Sequence, residues 1–381
     1  MIKVLSLPVD MGGCGWYRVR QPLSLIKKYT KHDVHIIDKN EDVMEDVVRA
    51  FVMSDIILMR PGAEDGLAQI LKIPGLENLT AKIVMDIDDN VEIISPYSAH
   101  YREYGVEEFY DKNAKEWLWK DGKLGWDREE NRKRMEHHLK GLNAVDLVTV
   151  TTPKLAEYAL QYNRNVTILP NCINFENWKV LPLKPNKQLR VGWAGGSSHY
   201  EDLYTIKEPL NQLLREFKFK MYFIGVHFPG LIDDDNKHLV EAFGWVPFEA
   251  HPYRMATFRL DAAIIPLADL PFNYYKSAIK WYEMAALEIP SVVSNITPYK
   301  EEINPGVTAL AYNTPKQFYK ALKTLLTKPQ VRKNVGKAAL KWVKTNRDAE
   351  KCAKLWTKAY GQIISAKRSG NKSKSKARSK S

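Results

Sequence analysis

The sequence predicts an α/β chain with two doubly wound domains in tandem. Three observations carry that prediction. Short apolar runs alternate with segments of helical period through the first half of the chain, the pattern of a parallel sheet wrapped by helices. A proline- and lysine-rich stretch, Leu181 to Lys187, interrupts this rhythm, after which the alternation begins again. At 381 residues the chain also exceeds the length at which one hydrophobic core stops growing, roughly 250–300 residues.

The first domain is expected over 1–172. Its strand candidates are Val4 to Leu7, Val34 to Ile37, Ile56 to Met59, Ile83 to Asp86, Leu147 to Val150 and Val166 to Leu169. Helical periods lie between them at Pro22 to Tyr29, Asp42 to Phe51 and Lys154 to Tyr162. The segment 97–126 is rich in aromatics and charge and has no clean period, so it reads as an insertion, either a lid over the sheet or a surface decoration. A linker follows over 173–188. The second domain, 189–345, has strand candidates at Val191 to Ala194, Met221 to Ile224, Ala262 to Ile265 and Ser291 to Val293. Its helices are expected at Tyr204 to Phe217, Ala278 to Leu287, Pro315 to Leu326 and Val331 to Thr345. Residues 346–365 form a C-terminal helix expected to pack back on the first domain, and 366–381 a disordered basic tail.

Composition narrows the class. A hydrophobic fraction of 45% and a charged fraction of 27% are those of a globular chain and exclude a fibrous or disordered one. No apolar run approaches the roughly 20 residues that span a bilayer, and Met1 to Pro8 lacks the basic flank and apolar stretch of a secretory signal, so a cytoplasmic location is expected. Cys14, Cys172 and Cys352 show no paired ligand spacing and are expected as thiols. The net charge of +12 is uneven: Lys367, Arg368, Lys372, Lys374, Lys376, Arg378 and Lys380 crowd the C-terminus with no acid among them. Such a tail would be drawn to DNA, RNA or an anionic membrane, or would serve only solubility.

Two glycine-rich turns follow strands. Gly12, Gly13 and Gly15 come directly after the first strand, where an open α/β sheet has its ligand crevice. Their spacing is not that of the dinucleotide fingerprint, so a tight turn explains them equally well. Arg18 and Arg20 follow on a helix and could meet an anion or face solvent. Gly195, Gly196 and Ser197 close a second strand, where free backbone N–H groups and a helix terminus suit a pyrophosphate. His199, just beyond, could donate to a phosphate or cap a helix. Asp86, Asp88 and Asp89 crowd the end of the fourth strand, as like charges do around a cation or sugar hydroxyls; no further cluster supports a metal.

Lys276, Lys280 and Glu283 are spaced four and three apart, which places them on one face at the start of one helix. Two ammonium groups can neutralise a diphosphate, and a carboxylate can accept from a ribose diol. A simple exposed ion pair is the alternative.

At these residues the chain resembles the GT-B glycosyltransferases, especially the retaining family-4-like enzymes. The resemblance runs through Ile168 to Ile173 (ILPNCI), Val191 to His199, Phe243 to Val246 (FGWV), and Lys276-Ser277-x-x-Lys280-x-x-Glu283 followed by Ala286 to Val292. It implies two Rossmann-like domains facing across a cleft and a nucleotide-diphosphate-sugar as co-substrate. Glu283 would bind the ribose, Lys280 with Gly195 and Gly196 the diphosphate, and Trp245 and Val246 would lie in the segment that reads the base; Lys276, Ser277 and Ser197 complete the expected donor set. Gly13 would face the diphosphate from the other domain. Tyr275 stands eight positions before Glu283, where many members have a glutamate. The resemblance requires no metal and no tightly bound cofactor, and it leaves the acceptor-activating role open, with Asp88 the candidate.

GGCGWYRVRQPL and IDDN are similar to segments of glycosyltransferases encoded by tailed bacteriophages and polysaccharide gene clusters. With the basic tail, this favours hydroxymethylated pyrimidines in double-stranded DNA as acceptor, with Arg18 and the seven tail cations as its contacts. A surface polysaccharide is the alternative acceptor. A catalytically inert, nucleic-acid-binding protein on the same scaffold is the reading from another class.

Overall fold

The computed structural model describes residues 1–37, 44–64, 67–68, 71–72, 79–112, 115–182, 186–228 and 230–378, with side chains to residue 365. The chain divides into two compact units. Met1–Asp88, Arg132–Asn171 and Ala349–Ser381 form the first, Asp89–Asn131 and Cys172–Asp348 the second.

Fourteen strands are present among the described residues. In chain order they are β1 (Lys3–Ser6), β2 (Asp33–Ile36), β3 (Ile56–Met59), β4 (Lys82–Ile87), β5 (Phe109–Asp111), β6 (Glu116–Trp119), β7 (Leu147–Val150), β8 (Val166–Ile168), β9 (Arg190–Gly195), β10 (Lys220–Gly225), β11 (Val240–Phe243), β12 (Ala262–Ile265), β13 (Ser291–Ser294) and β14 (Leu310–Tyr312).

The first unit holds one sheet in the order β2-β1-β3-β4-β7-β8, the second another in the order β11-β10-β9-β12-β13-β14. Every pairing in both is parallel. Strand order reverses between β1 and β3 in the first sheet and between β9 and β12 in the second. Ligands of open α/β sheets bind outside the carboxyl ends of the strands at such reversals, so each sheet has one preferred place for a site.

The inner strands of the second sheet, β9, β10, β12 and β13, are buried on both faces, which is why they read as continuous apolar runs. Val191 and Trp193 of β9 and Met221 and Phe223 of β10 pack with Leu210, Leu213 and Leu214 of the helix Lys207–Phe217. Phe318, Leu322 and Leu325 of the helix Pro315–Thr327 belong to the same core. Burying each such side chain is worth about 1.5–3 kcal/mol. The helix Pro329–Asn346 lies so close to the turn at Glu288 that a Cβ on Gly336 would meet the Glu288 carbonyl oxygen at 2.1 Å.

The expected strands are present to within a residue or two, and four others were not expected. β11 is half exposed and β14 is three residues long, so neither writes a strong apolar run. β5 and β6 form an antiparallel hairpin inside the expected insertion. The polar helix Arg128–Ala144 was likewise unexpected. The sequence places the insertion in the first domain, but Asp89–Asn131 groups with the second unit. Its aromatics explain why: Ile94, Tyr101 and Trp126 pack with Phe272, and Tyr97 stacks on Tyr200 with ring centroids 6.0 Å apart.

The long helix Ala349–Arg378 belongs to the first unit. The side chains of 366–381, which include the seven tail cations, lie outside the described residues. Among the described residues no helix is long and apolar enough to cross a membrane. The expectation of three thiols needs correction: Cys172 and Cys352 are disulfide-bonded.

Candidate functional site

In the second unit β9 ends at Gly195 and β12 at Ile265, the two strands that flank the reversal. The loops leaving them are tied together by one buried carboxylate. Asp202, 2% exposed, accepts from the Ala268 N–H at 2.7 Å and from Asn273 Nδ2 at 2.9 Å through Oδ1. Its Oδ2 lies 2.5 Å from His199 Nδ1. Burial alone would raise the Asp202 carboxyl, but the hydrogen bonds from His199 and from the Ala268 N–H outweigh it and hold the group below its usual range. His199 is pushed down to about 4, first by its burial and then by the charge of Lys280, against the pull of Asp202. An ionised Asp202 beside a neutral imidazole puts the proton on Nδ1, so His199 donates to Asp202 and its Nε2 is an acceptor. It therefore stands at the N-cap position of the short helix Tyr200–Tyr204 without a capping side-chain hydrogen bond, and its Nδ1 proton goes to Asp202 and not to a phosphate.

The helix carrying the expected donor residues spans Ile279–Ala286. Lys280 and Glu283 are on it. Lys276 is not: it precedes the helix in extended backbone, at the end of the turn Pro271–Tyr275, and Ser277 lies between. The expected three-residue face is thus a helix pair plus a loop lysine, because the helix starts only after Ala278.

Lys280 Nζ donates to the Ala194 carbonyl oxygen at 2.9 Å and lies 5.1 Å from the centroid of the Trp193 ring. No carboxylate lies within ion-pair distance of it among the described residues. Burial pushes the ammonium down to about 7; Asp202 and Glu283 oppose the shift and Lys276 adds to it. A Cβ on Gly195 would meet Lys280 Nζ at 2.4 Å and Trp193 Cζ2 at 2.5 Å, so glycine there is what lets the lysine reach the strand end. Gly196 has open space where its Cβ would be, and Ser197 beyond it is exposed. Lys276 Nζ lies 3.8 Å from Asp89 Oδ1 and 4.4 Å from the centroid of the Phe272 ring.

Glu283 is 6% exposed, with His251 Nε2 3.9 Å from its Oε1. The His251 ring is packed edge-on against Trp178 and lies 6.1 Å from the half-exposed ring of Trp245. Trp245 in turn covers Gly225. Glycine is required there twice over, by a φ of +103° and because any Cβ would stand 2.4 Å from Cζ2 of the indole. Val246 is half-buried beside Trp245 in the chain. Lys280, Glu283, Gly195, Gly196 and the Trp245–Val246 segment thus all belong to the second unit. Among the described residues no cluster of three or more His, Cys, Asp or Glu could hold a metal ion.

In the first unit Gly13 opens the short helix Gly13–Gly15 after β1. Arg18, expected to meet an acceptor or nucleic acid, is instead 0% exposed. Its Nε and Nη2 donate to the two oxygens of Asp86 at 2.9 and 2.7 Å, and Nη1 donates to the Leu169 carbonyl and to Asn171 Oδ1. A buried carboxylate needs a forked partner more than a surface needs one more charge, and that need claims Arg18. Arg60, which no motif marked, donates to Asp86 Oδ1 at 3.2 Å and to Asp88 Oδ1 at 2.6 Å. Burial would raise the Asp88 carboxyl, but Arg60, a hydrogen bond with Cys14 and the charge of Arg18 hold it low. Asp88 is therefore an ionised, paired carboxylate. It can accept a hydrogen bond from a hydroxyl and is poorly suited to take its proton.

No protein-family model and no curated protein sequence matches the chain. Solved structures do. Sucrose-phosphate synthase from Thermosynechococcus elongatus aligns with a TM-score of 0.63 at 14% identity, over 96% of this chain and 100% of that one. HepE of Anabaena, solved with UDP and glucose, aligns with a TM-score of 0.62 at 13% identity, over 95% and 100%. A glycosyltransferase from Rickettsia africae aligns with a TM-score of 0.60 at 12% identity, over 95% and 98%. This chain's two six-stranded parallel sheets with their surrounding helices match these structures, and its fold is that of the GT-B glycosyltransferase structures.

Proposed function

We propose that the chain is a glycosyltransferase whose second unit binds a nucleotide-diphosphate-sugar at the reversal between β9 and β12. The observation that carries this reading is Lys280, a half-buried ammonium at a strand end against a glycine loop, with a carbonyl oxygen and an aromatic face as neighbours and no carboxylate within ion-pair distance among the described residues. A diphosphate supplies the missing charge, and Lys276 adds a second cation. Glu283, one helical turn further along and buried beside His251, would accept from a ribose diol. Trp245 and Val246 supply the base-facing segment. That HepE was solved with UDP, with UDP and glucose, and with UDP-glucose supports the same donor class here.

The chemical burden is electrostatic. The acceptor hydroxyl forms a bond to the anomeric carbon as the bond to the diphosphate breaks, and a leaving phosphate oxygen takes the hydroxyl proton. Lys280, Lys276 and the backbone N–H groups at Gly195 and Gly196 stabilise the charge that develops on the diphosphate. With that oxygen as the base, attack comes from the face that the diphosphate leaves, and the anomeric configuration is retained. Gly13 is proposed as a further diphosphate contact, and Asp88 would order the acceptor. The favoured acceptor is a hydroxymethylated pyrimidine in DNA, in keeping with the cationic C-terminal region, and the protein then works in the cytoplasm of a phage-infected host.

The test is incubation of the protein with a panel of nucleotide sugars and, separately, hydroxymethylated duplex DNA or glycan acceptors, followed by mass spectrometry. Added hexose or pentose mass on DNA is the expected result, lost in Lys280→Ala and Glu283→Ala. Mass gained by a glycan alone would replace the acceptor. Absence of any nucleotide-sugar binding or turnover would leave a nucleic-acid-binding scaffold and end the transferase reading.

A further inference from the structure

The basic tail is not the chain's main store of positive charge. From Pro315 to Arg347 there are ten Lys or Arg and no Asp or Glu. Together with the seven cations of the tail this exceeds the net charge of +12, so the rest of the chain is acidic overall. This segment consists of the helix Pro315–Thr327, Lys328, and the helix Pro329–Asn346.

Its lysines are ordered by the helices. Lys316, Lys320 and Lys323 recur at steps of four and three on the first helix, and Lys333, Lys337 and Lys341 at steps of four on the second, so each set forms one stripe. All six are exposed. Phe318, Leu322, Val335, Ala339 and Val343 occupy the opposite faces and are buried. Arg332 is not part of the stripes; its Nη1 donates to the Leu325 and Leu326 carbonyls and clamps the end of the first helix to the second. Trp342 packs its ring 5.1 Å from Trp281 of the donor helix, so the outer stripe is mounted on the back of the donor site.

We infer that these two helices form a docking face for the phosphate backbone of duplex DNA. Four residues of helix advance about 6 Å, while a DNA strand carries a charge about every 3.4 Å along its axis, so successive lysines meet roughly every second phosphate. A bilayer fits less well. Membrane-surface helices pair a cationic face with large apolar side chains that enter the lipid, and none of the exposed large hydrophobic residues falls between Pro315 and Asn346. The face goes beyond the tail as a source of nucleic-acid affinity. It deepens the DNA-acceptor reading above, and is tested apart from it.

The experiment is fluorescence anisotropy of the full chain with a labelled duplex over a salt series, with Lys333→Gln/Lys337→Gln/Lys341→Gln and Lys316→Gln/Lys320→Gln/Lys323→Gln as variants. Each triple should weaken binding at least about tenfold at low salt and reduce the slope of log K against log salt by about 3. Unchanged melting and nucleotide-sugar binding would show that the fold and donor site are intact. Unchanged duplex affinity in both triples, or affinity lost wholly on truncation after Ser365, overturns the inference. So does binding to vesicles of anionic lipid with none to duplex. Nucleotide-sugar hydrolysis measured without DNA keeps the transferase reading distinct: its persistence alongside failed DNA binding would remove the docking face alone.

Discussion

Lys280 Nζ donates to the Ala194 carbonyl oxygen, 2.9 Å away, across a space that a side chain at position 195 would fill. The lysine is thereby held at the carboxyl end of β9, half-buried beside the reversal in strand order, with its Nζ against the glycine loop. Most of what can be tested about this protein follows from that placement.

Gly195→Ala would bring a methyl group to 2.4 Å from Nζ and 2.5 Å from the Trp193 indole. Either the lysine or the indole must move. Affinity for a nucleoside diphosphate, measured by calorimetry, should fall at least about tenfold, about 1.4 kcal/mol. Gly196→Ala, with open space around its Cβ, should change it little. Equal effects of the two substitutions would contradict the role given to Gly195.

The Lys280 ammonium loses its proton as pH rises through about 7 in the unliganded protein, whereas a bound diphosphate keeps it protonated. Diphosphate affinity is therefore greatest below pH 7 and falls as pH rises from there toward 9. Stability runs the other way. The unfolded chain holds this proton up to the ordinary lysine range, so the folded state gains stability as pH rises above 7. Lys280→Met should bind diphosphate weakly at every pH and flatten both profiles, as read by calorimetry and thermal melts. A native affinity that does not change between pH 6 and pH 9 would refute the placement of the charge.

Asp202→Ala would strand the Ala268 N–H, the Asn273 amide and His199 in the interior. Each buried polar group left unpaired costs about 1–3 kcal/mol. A loss of about 3 kcal/mol or more in urea unfolding is expected, with weaker diphosphate binding in the protein that remains folded. A loss below about 1 kcal/mol would mean that Asp202 does not tie the two loops.

Arg18→Met leaves Asp86 without its bidentate partner in the interior of the first unit. Breaking a buried pair by removing one member costs about 3–5 kcal/mol, to be read in chemical denaturation. Duplex affinity of the folded variant should match that of the native chain. A variant that keeps its stability and loses DNA binding would restore Arg18 to the surface role that its sequence position indicates.

Much of the fold is legible because both parallel sheets write plain apolar runs. Ile56–Met59, Leu147–Val150 and Ala262–Ile265 are strands with the bounds expected of them. β14 and the polar helix Arg128–Ala144 left no such signal, the one too short and the other without an apolar stripe. In the candidate site, Lys280 and Glu283 were visible as a helical pair after a strand. Asp202 was not, since its partners Ala268 and Asn273 lie some seventy residues away in sequence and nothing local marks them. The lysine stripes were visible in principle, because a run of ten cations with no acid needs only counting; interleaved with apolar residues, they stand out less than the unbroken polar tail.

By itself the amino-acid sequence determined the alternation of strand and helix, the two glycine turns at strand ends, and the spacing that puts Lys280 and Glu283 on one helix. These are local properties, set by backbone geometry and side-chain period within a few residues. Only the tertiary structure decided which charges are available to a ligand. Arg18 and Asp88 have the residue types of a binding site, yet Asp86 and Arg60 neutralise them, while Lys280 keeps its charge unpaired among the described residues. Whether an ionic group finds a counterion depends on neighbours brought from distant parts of the chain, and burial makes that pairing decisive by removing the water that would otherwise screen it.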